Sequence, residues 1–280
     1  MSLSNNDLIK YLDDFFEIYK KRPIKNNFGG MGINHCFALY SILRSLKPNL
    51  IIESGVWKGQ STYIIENALP KSNIVCLDPI PKNRLFNSKN AIYFENDFVG
   101  IDWTKFDIKN SLCFFDDHQN AYSRLMEMKW WGFNRAIFED NFPDGEGDCY
   151  SLKNVLSGLG HFNIQMSKEY LPKGKNKLIR KIEEWVLNRY YWRQSMIRKK
   201  NDVDKAALKL NLKNYFEVIP LILNKKNFWG RDWSGYYELK NKPFYSNWES
   251  NKNLLEILSS MNTEEIKNEL NYCFICYVEI

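Results

Sequence analysis

No apolar run in these 280 residues is long enough to cross a membrane as a helix. Nor does the N-terminus read as a secretory signal, because Asp13, Asp14 and Glu17 interrupt its apolar segment. The six cysteines form no disulfide framework. Cys76 and Cys113 fall inside candidate core strands, where a reduced cysteine acts as a small hydrophobe. Cys273 and Cys276 lie three apart in a strand-like run and so point to opposite faces, which argues for packing over a redox or zinc pair. There is no internal repeat and no low-complexity segment. Histidine is scarce, and two of the three, His35 and His161, belong to no pattern. These absences predict a soluble, cytoplasmic protein with reduced thiols. What is present, 44% hydrophobic and 15% aromatic residues, predicts a folded chain. The length suits one large α/β domain with an insertion, or two small domains.

Charge is uneven. Residues 168–213 hold 14 Lys and Arg against 5 Asp and Glu, while the whole chain carries only +6. Such a block faces RNA, an anionic substrate or simply water.

The chain is organised around residues 50–61, LIIESGVWKGQS. An apolar run reads as a buried parallel strand. A turn follows with Glu53, Gly55, Gly59 and Ser61, and then a helical run to residue 69. Strand, glycine turn and helix make a cofactor cradle, since glycine admits a tight turn and a close ligand. The carboxylate at the strand end would repel a pyrophosphate and suits a ligand bearing an ammonium group.

The flanking pattern repeats the strand. Apolar segments at 73–77, 91–94, 111–115 and 135–138 alternate with helix-length stretches, which predicts βαβ units and a parallel sheet. Helical spacing also covers 3–21, stopped by Pro23, and 33–46, stopped before Pro48. A loop with three glycines, 26–32, joins them. Each strand runs into an acid: Glu53, Asp78, Asp97, Asp117 and Asp140. Asp is a common helix cap after a strand, but capping explains five such acids poorly. Ligands of open α/β sheets bind outside the carboxyl ends of the strands, so the five converge on one crevice.

The run Glu53-Ser-Gly55-Val-Trp-Lys-Gly59-Gln-Ser61, then Asp78-Pro79 and Asn96-Asp97, resembles class I S-adenosylmethionine (SAM)-dependent methyltransferases. The likeness is to small-molecule O-methyltransferases of the catechol and macrocin (macrolide-sugar) types. It covers roughly 33–151 and the C-terminal strand. The resemblance implies a doubly wound, Rossmann-like, mostly parallel sheet with an antiparallel last strand. It implies that Glu53, Gly55, Gly59 and Ser61 hold the methionine part, that Asp78 binds the ribose, and that Asn96 and Asp97 flank the adenine. It further implies Mg²⁺ held by Asp117, Asp140 and Asn141, with Asp116 as the alternative to Asp117. Asp117 and His118 also adjoin the cofactor. Where the catechol pattern has a lysine base this chain has Asn120, which leaves His118 and Asp116 as catalytic candidates, with His35 and Glu139 behind them.

The expected organisation is one domain. Residues 1–32 form an N-terminal helix and glycine loop, 33–159 the cofactor core, 160–250 a cap insertion that selects the acceptor, and 251–280 a helix and strand completing the sheet. The insertion would include a helix at 176–200 and an aromatic segment at 228–237, while late strands at 215–223 and 273–280 would complete the sheet. The expected activity is O-methylation of a hydroxylated small molecule or sugar. The rivals are an RNA methyltransferase using the basic block and a non-catalytic cofactor-binding protein. A homodimer is compatible with all three.

Overall fold

A computed structural model describes residues 3–143, 147, 149–159, 202–223, 242–271 and 273–280. The expected helix at 176–200, the aromatic segment at 228–237, His161 and most of the basic block and cap insertion lie outside the described residues.

The chain divides into two compact units. The first, 1–118, 123–141 and 212–280, contains a seven-stranded sheet. Its strands are β1 (Leu50–Ser54), β2 (Asn73–Leu77), β3 (Ala91–Phe94), β4 (Ser111–Phe115), β5 (Arg135–Phe138), β6 (Asn214–Glu217) and β7 (Cys276–Glu279). The spatial order is β3-β2-β1-β4-β5-β7-β6. The first five are parallel, and β7 runs antiparallel between β5 and β6. The fold is therefore the Rossmann-like sheet with an antiparallel last strand that the resemblance implies. Strand order reverses between β1 and β4, which places the switch-point crevice at their carboxyl ends.

Side-chain alternation divides each strand between two faces. On one face Ile51, Cys76, Phe114 and Ile137 join a core with Phe15, Phe37, Ile64 and Ile65. Those partners come from α2 (Leu12–Lys20), α3 (Ile33–Leu46) and α4 (Gln60–Ala68). On the other face Phe115 packs on Phe98 and Phe138, at ring separations of 5.4 and 5.2 Å. Trp103 and Phe133 extend that aromatic group. Arg124 of α5 (Ala121–Trp131) covers the Phe115 ring on this side. All six cysteines are free thiols and buried.

The N-terminal helix is two, α1 (Asn5–Ile9) and α2, parted at Lys10 and Tyr11. Tyr11 keeps a nearly helical backbone, φ −96° and ψ 3°, so the apolar stripe Leu8, Leu12, Phe15, Phe16 and Tyr19 stays in phase and buried across the break. The late strand is shorter than expected. Val218 still donates to Ile275, but Pro220 has no N–H to continue the ladder.

The second unit comprises 119–122 and 142–211. Its described helices are α6 (Leu152–Ser157) and α7 (Asp202–Asn211), which pack together. Ser151 caps α6, accepting from the Asn154 N–H while its hydroxyl donates to the Phe142 carbonyl at 2.6 Å.

Two short helices, α8 (Lys252–Leu258) and α9 (Thr263–Glu269), precede β7 in the first unit. A capping box at Asn262 and Glu265 starts α9.

Candidate functional site

The turn after β1 is shaped by close packing of the backbone. The hydrogen-bond ladder runs one residue past the strands: Gly55 donates to Leu77, Asp116 to Ser54 and Glu139 to Phe115. Gly55 adopts φ +93°, and a Cβ there would come within 1.9 Å of the Asp116 carbonyl oxygen. The exits of β1 and β4 thus touch, with no side chain between them. Trp57 also has positive φ and leaves its N–H pointing at Asp78.

Asp78, at the end of β2, accepts from two backbone donors. Oδ2 takes the Trp57 N–H at 2.7 Å and Oδ1 the Ile80 N–H at 2.8 Å. This fixes the carboxylate between two loops of the crevice. Each oxygen keeps a lone pair for a further donor.

Glu53 is completely buried on the face of α3 and α4. Its Oε2 accepts from Thr62 Oγ1 at 2.7 Å and from the Cys76 thiol at 3.1 Å, which ties β1 to the first turn of α4. Burial raises the Glu53 pKa, against the lowering influence of Ser61, Thr62 and Cys76. Among the described residues its Oε1 and the buried Gln60 amide lack partners at ordinary hydrogen-bond geometry, with Ser61 lying against Glu53 and the Cys36 thiol against Gln60. Ser61 is buried beside them.

Beyond β3 and β4 a buried arginine dominates. Arg124 grips Asp97 through two bonds, of 2.8 and 2.6 Å, and holds Asp117 at 3.0 and 2.9 Å and Glu127 at 2.8 Å. Asp117 also accepts from Ser54 Oγ at 2.7 Å. The Arg124 guanidinium holds the Asp97 carboxyl below its usual range. Asp97 additionally caps the following turn through the Val99 N–H, while Asn96 is exposed.

Asp116 faces the opposite way from its neighbour. Its carboxylate, His118 and Asp140 bring one ligand atom each within 4.8 Å of one another. His118 Nδ1 lies 3.2 Å from Asp140 Oδ2. His118 is mostly exposed, with a left-handed φ of 53°. Behind this trio, His35 of α3 approaches Glu139 at 3.4 Å. Burial drives the His35 pKa down to about 3, so the imidazole is neutral. Burial, then Asp140 and Asp116, push the Glu139 carboxyl well above its usual range. Burial, followed by Asp140, does the same for Asp116. Asn141 is buried, and its amide donates to the Tyr215 hydroxyl at 2.7 Å.

The expected site residues therefore fall into three groups. Gly55, Gly59, Ser61 and Asp78 line or shape the turn beside β1. Asp116, His118 and Asp140 form a cluster with metal-ligand spacing. Asp97 and Asp117 are drawn to Arg124, and Asn141 to Tyr215. Of the residues expected to hold an ion, Asp140 lies with Asp116 and His118 in that cluster, while Asp117 lies against Arg124 and Asn141 against Tyr215. Arg124, Thr62 and Gln60 were not expected. For Arg124 the available signal was a lone arginine beside Leu125 in a helix following an acidic strand end.

The residues fit the groups that the resemblance implies. The orphaned polar atoms of Glu53 and Gln60 and the fixed carboxylate of Asp78 match the polar parts of SAM. Two carboxylates and an imidazole are a competent donor set for a divalent ion.

No family model matches this chain, and no curated protein matches it. Among solved structures it is similar to the apo form of CmcI-N160, at 18% identity and a TM-score of 0.29. That match covers 37% of this chain and only 50% of CmcI-N160. The chain is also similar to the Bacillus cereus O-methyltransferase in complex with SAH, at 9% identity and TM-score 0.41, over 99% of this chain and 92% of that one. A third is the plantazolicin methyltransferase BpumL, in complex with a pentazolic desmethylPZN analogue and SAH. Its identity is 10% and its TM-score 0.43, over 98% of this chain and 93% of BpumL. At these identities and scores the likenesses carry none of those activities over to this chain.

Proposed function

We propose that this chain is a SAM-dependent methyltransferase that methylates a hydroxyl of a small molecule or sugar, assisted by a divalent metal ion. One observation carries the reading. A fixed carboxylate, Asp78, and the cluster of Asp116, His118 and Asp140 open from neighbouring strand ends at the switch point of a 3-2-1-4-5-7-6 sheet. On this reading a nucleoside-type ligand lies on the β2 side of the Gly55 turn and an ion on its β4 side. The resemblance of residues 53–61, 78–79 and 96–97 to class I methyltransferases supports the same reading.

Bound SAM would supply an electrophilic methyl group. A divalent ion would lower the pKa of an acceptor hydroxyl and orient its oxygen. In this chain Asp78 accepts from the ribose hydroxyls, its own geometry fixed by the Trp57 and Ile80 amides. Gln60, Ser61 and the open oxygen of Glu53 meet the polar end of the methionine part. Asp116, His118 and Asp140 hold the ion.

Calorimetry with SAM and with SAH, its demethylated product, tests this. The folded chain is expected to bind both, and binding of neither would overturn the reading. Asp78→Ala should weaken SAH binding by about ten- to a hundredfold, the worth of a hydrogen bond to a charged acceptor. Unchanged affinity in a folded variant would reduce Asp78 to a loop strut. Labelled methyl transfer to a panel of hydroxylated small molecules and sugars then tests turnover.

A further inference from the structure

We propose that His118 is a direct ligand of the ion, and that the site therefore selects a borderline transition ion such as Co²⁺ or Zn²⁺ over Mg²⁺. The inference rests on the metal-assisted reading and fixes the chemical class of the metal.

The argument begins with what Asp117 is doing. Its Oδ2 accepts from Ser54 and from two nitrogens of Arg124, all within 3.0 Å. That oxygen is taken up by a buried guanidinium that also binds Asp97 and Glu127, which holds the side chain on the Arg124 side and outside the cluster with metal-ligand spacing. Among the described residues no arginine or lysine faces Asp116, and its carboxyl lies beside Asp140 and His118. The oxygen donors of the cluster are thus reduced to two carboxylates, and the third donor is nitrogen.

The separations suit one ion. With bonds of about 2.0–2.2 Å, two donors of one centre lie roughly 3–4.4 Å apart. His118 Nδ1 and Asp140 Oδ2 are 3.2 Å apart, inside that range, and the whole trio lies within 4.8 Å, slightly wider. The left-handed backbone of His118 brings its ring back toward Asp140 two residues after Asp116.

Donor chemistry then decides among ions. Mg²⁺ is hard, prefers oxygen and gives up water reluctantly. Imidazole suits the later divalent ions, whose affinities for nitrogen-bearing sites rise along the first row. Replacing one oxygen ligand by His118 shifts preference toward those ions.

The experiment uses the full-length protein, stripped with chelator and dialysed. Co²⁺ is titrated by its visible ligand-field bands, Mn²⁺ by loss of the free-ion paramagnetic resonance signal, and Mg²⁺ by competition against Mn²⁺. SAH affinity is measured in parallel. We expect Co²⁺ to bind at least about tenfold more tightly than Mg²⁺. His118→Ala should cost Co²⁺ about ten- to a hundredfold while moving Mg²⁺ far less. Asp117→Asn should leave Co²⁺ affinity within about threefold, because that carboxylate is no ligand. Equal or tighter Mg²⁺ binding, or an unchanged Co²⁺ spectrum in His118→Ala, overturns the inference. SAH binding without any ion binding overturns the metal half of the function together with this inference, and leaves the cofactor reading intact. Ion binding as expected without SAH binding upholds this inference and overturns the cofactor reading.

Discussion

The contact between the β1 and β4 exits can be weighed by adding one carbon. Gly55→Ala places a methyl group 1.9 Å from the Asp116 carbonyl oxygen and 2.5 Å from its carbonyl carbon. Both atoms are backbone, so no side chain can rotate away. The residue must also hold φ +93°. Gly132 separates the two costs. It ends α5 at φ +89°, and a methyl group there meets only Ile108 Cδ1, at an ordinary 3.6 Å. Gly132→Ala should therefore cost about 1–2 kcal/mol for the left-handed backbone alone. Gly55→Ala should add about 1–3 kcal/mol for the forced displacement, about 2–5 in total. Urea unfolding monitored by circular dichroism measures both. With a slope of about 3 kcal/mol/M, Gly55→Ala should lower the midpoint by about 1 M. The displaced strand end carries Asp116, so the same variant should also lose metal affinity, while Gly132→Ala should not. If the two variants unfold within about 0.5 kcal/mol of each other, the close approach of the two exits is not a constraint and the argument fails.

Two further outcomes follow from the charges around the crevice. Arg124→Met strands Asp117 without its cation. Removing one member of a buried pair costs about 3–5 kcal/mol, but half-exposed Asp97 recovers water, so about 2 kcal/mol is expected in urea unfolding; a loss under about 0.5 kcal/mol would make the arginine a surface charge. Glu53, whose pKa is raised by burial, binds its proton more tightly folded than unfolded. Its contribution is fully present below the ordinary carboxylate range and is lost as pH rises through its folded pKa. Glu53→Gln keeps an oxygen for Thr62 and should be less sensitive than the parent to a rise from pH 5 to 7, and an unchanged pH slope would contradict the assignment.

Much of the sheet could be read from the chain, because a buried parallel strand is a continuous apolar run. The boundaries at 73–77, 91–94, 111–115 and 135–138 coincide with β2 to β5. The break between α1 and α2 could not, since Tyr11 preserves the helical phase that periodicity detects. The end of β6 was legible in principle from Pro220, which a run of apolar residues outweighed. Arg124 was hidden for another reason. Its partners Asp97 and Asp117 lie 27 and 7 residues away, and only the fold brings the ends of β3 and β4 to one guanidinium.

Which aspartate after β4 joins Asp140 and His118 turns on a single step of alternation. Ser54 and Asp117 lie on the α5 side of the sheet, where a hydroxyl and a guanidinium wait. Glu53 and Asp116 follow Ile51 and Phe114 to the other side, under α3 and α4. Two adjacent aspartates after β4 are equivalent in a motif and opposite in space, because a strand reverses its side chains at every residue. The choice between them was decided outside the motif, by Arg124 in the following helix. That residue neutralises Asp117 and leaves Asp116 to face Asp140. His118 then returns to the Asp116 side through its left-handed turn, and a nitrogen enters the cluster in place of an oxygen. On the metal-assisted reading, a charge on the far face of the sheet would govern which atoms are offered to an ion.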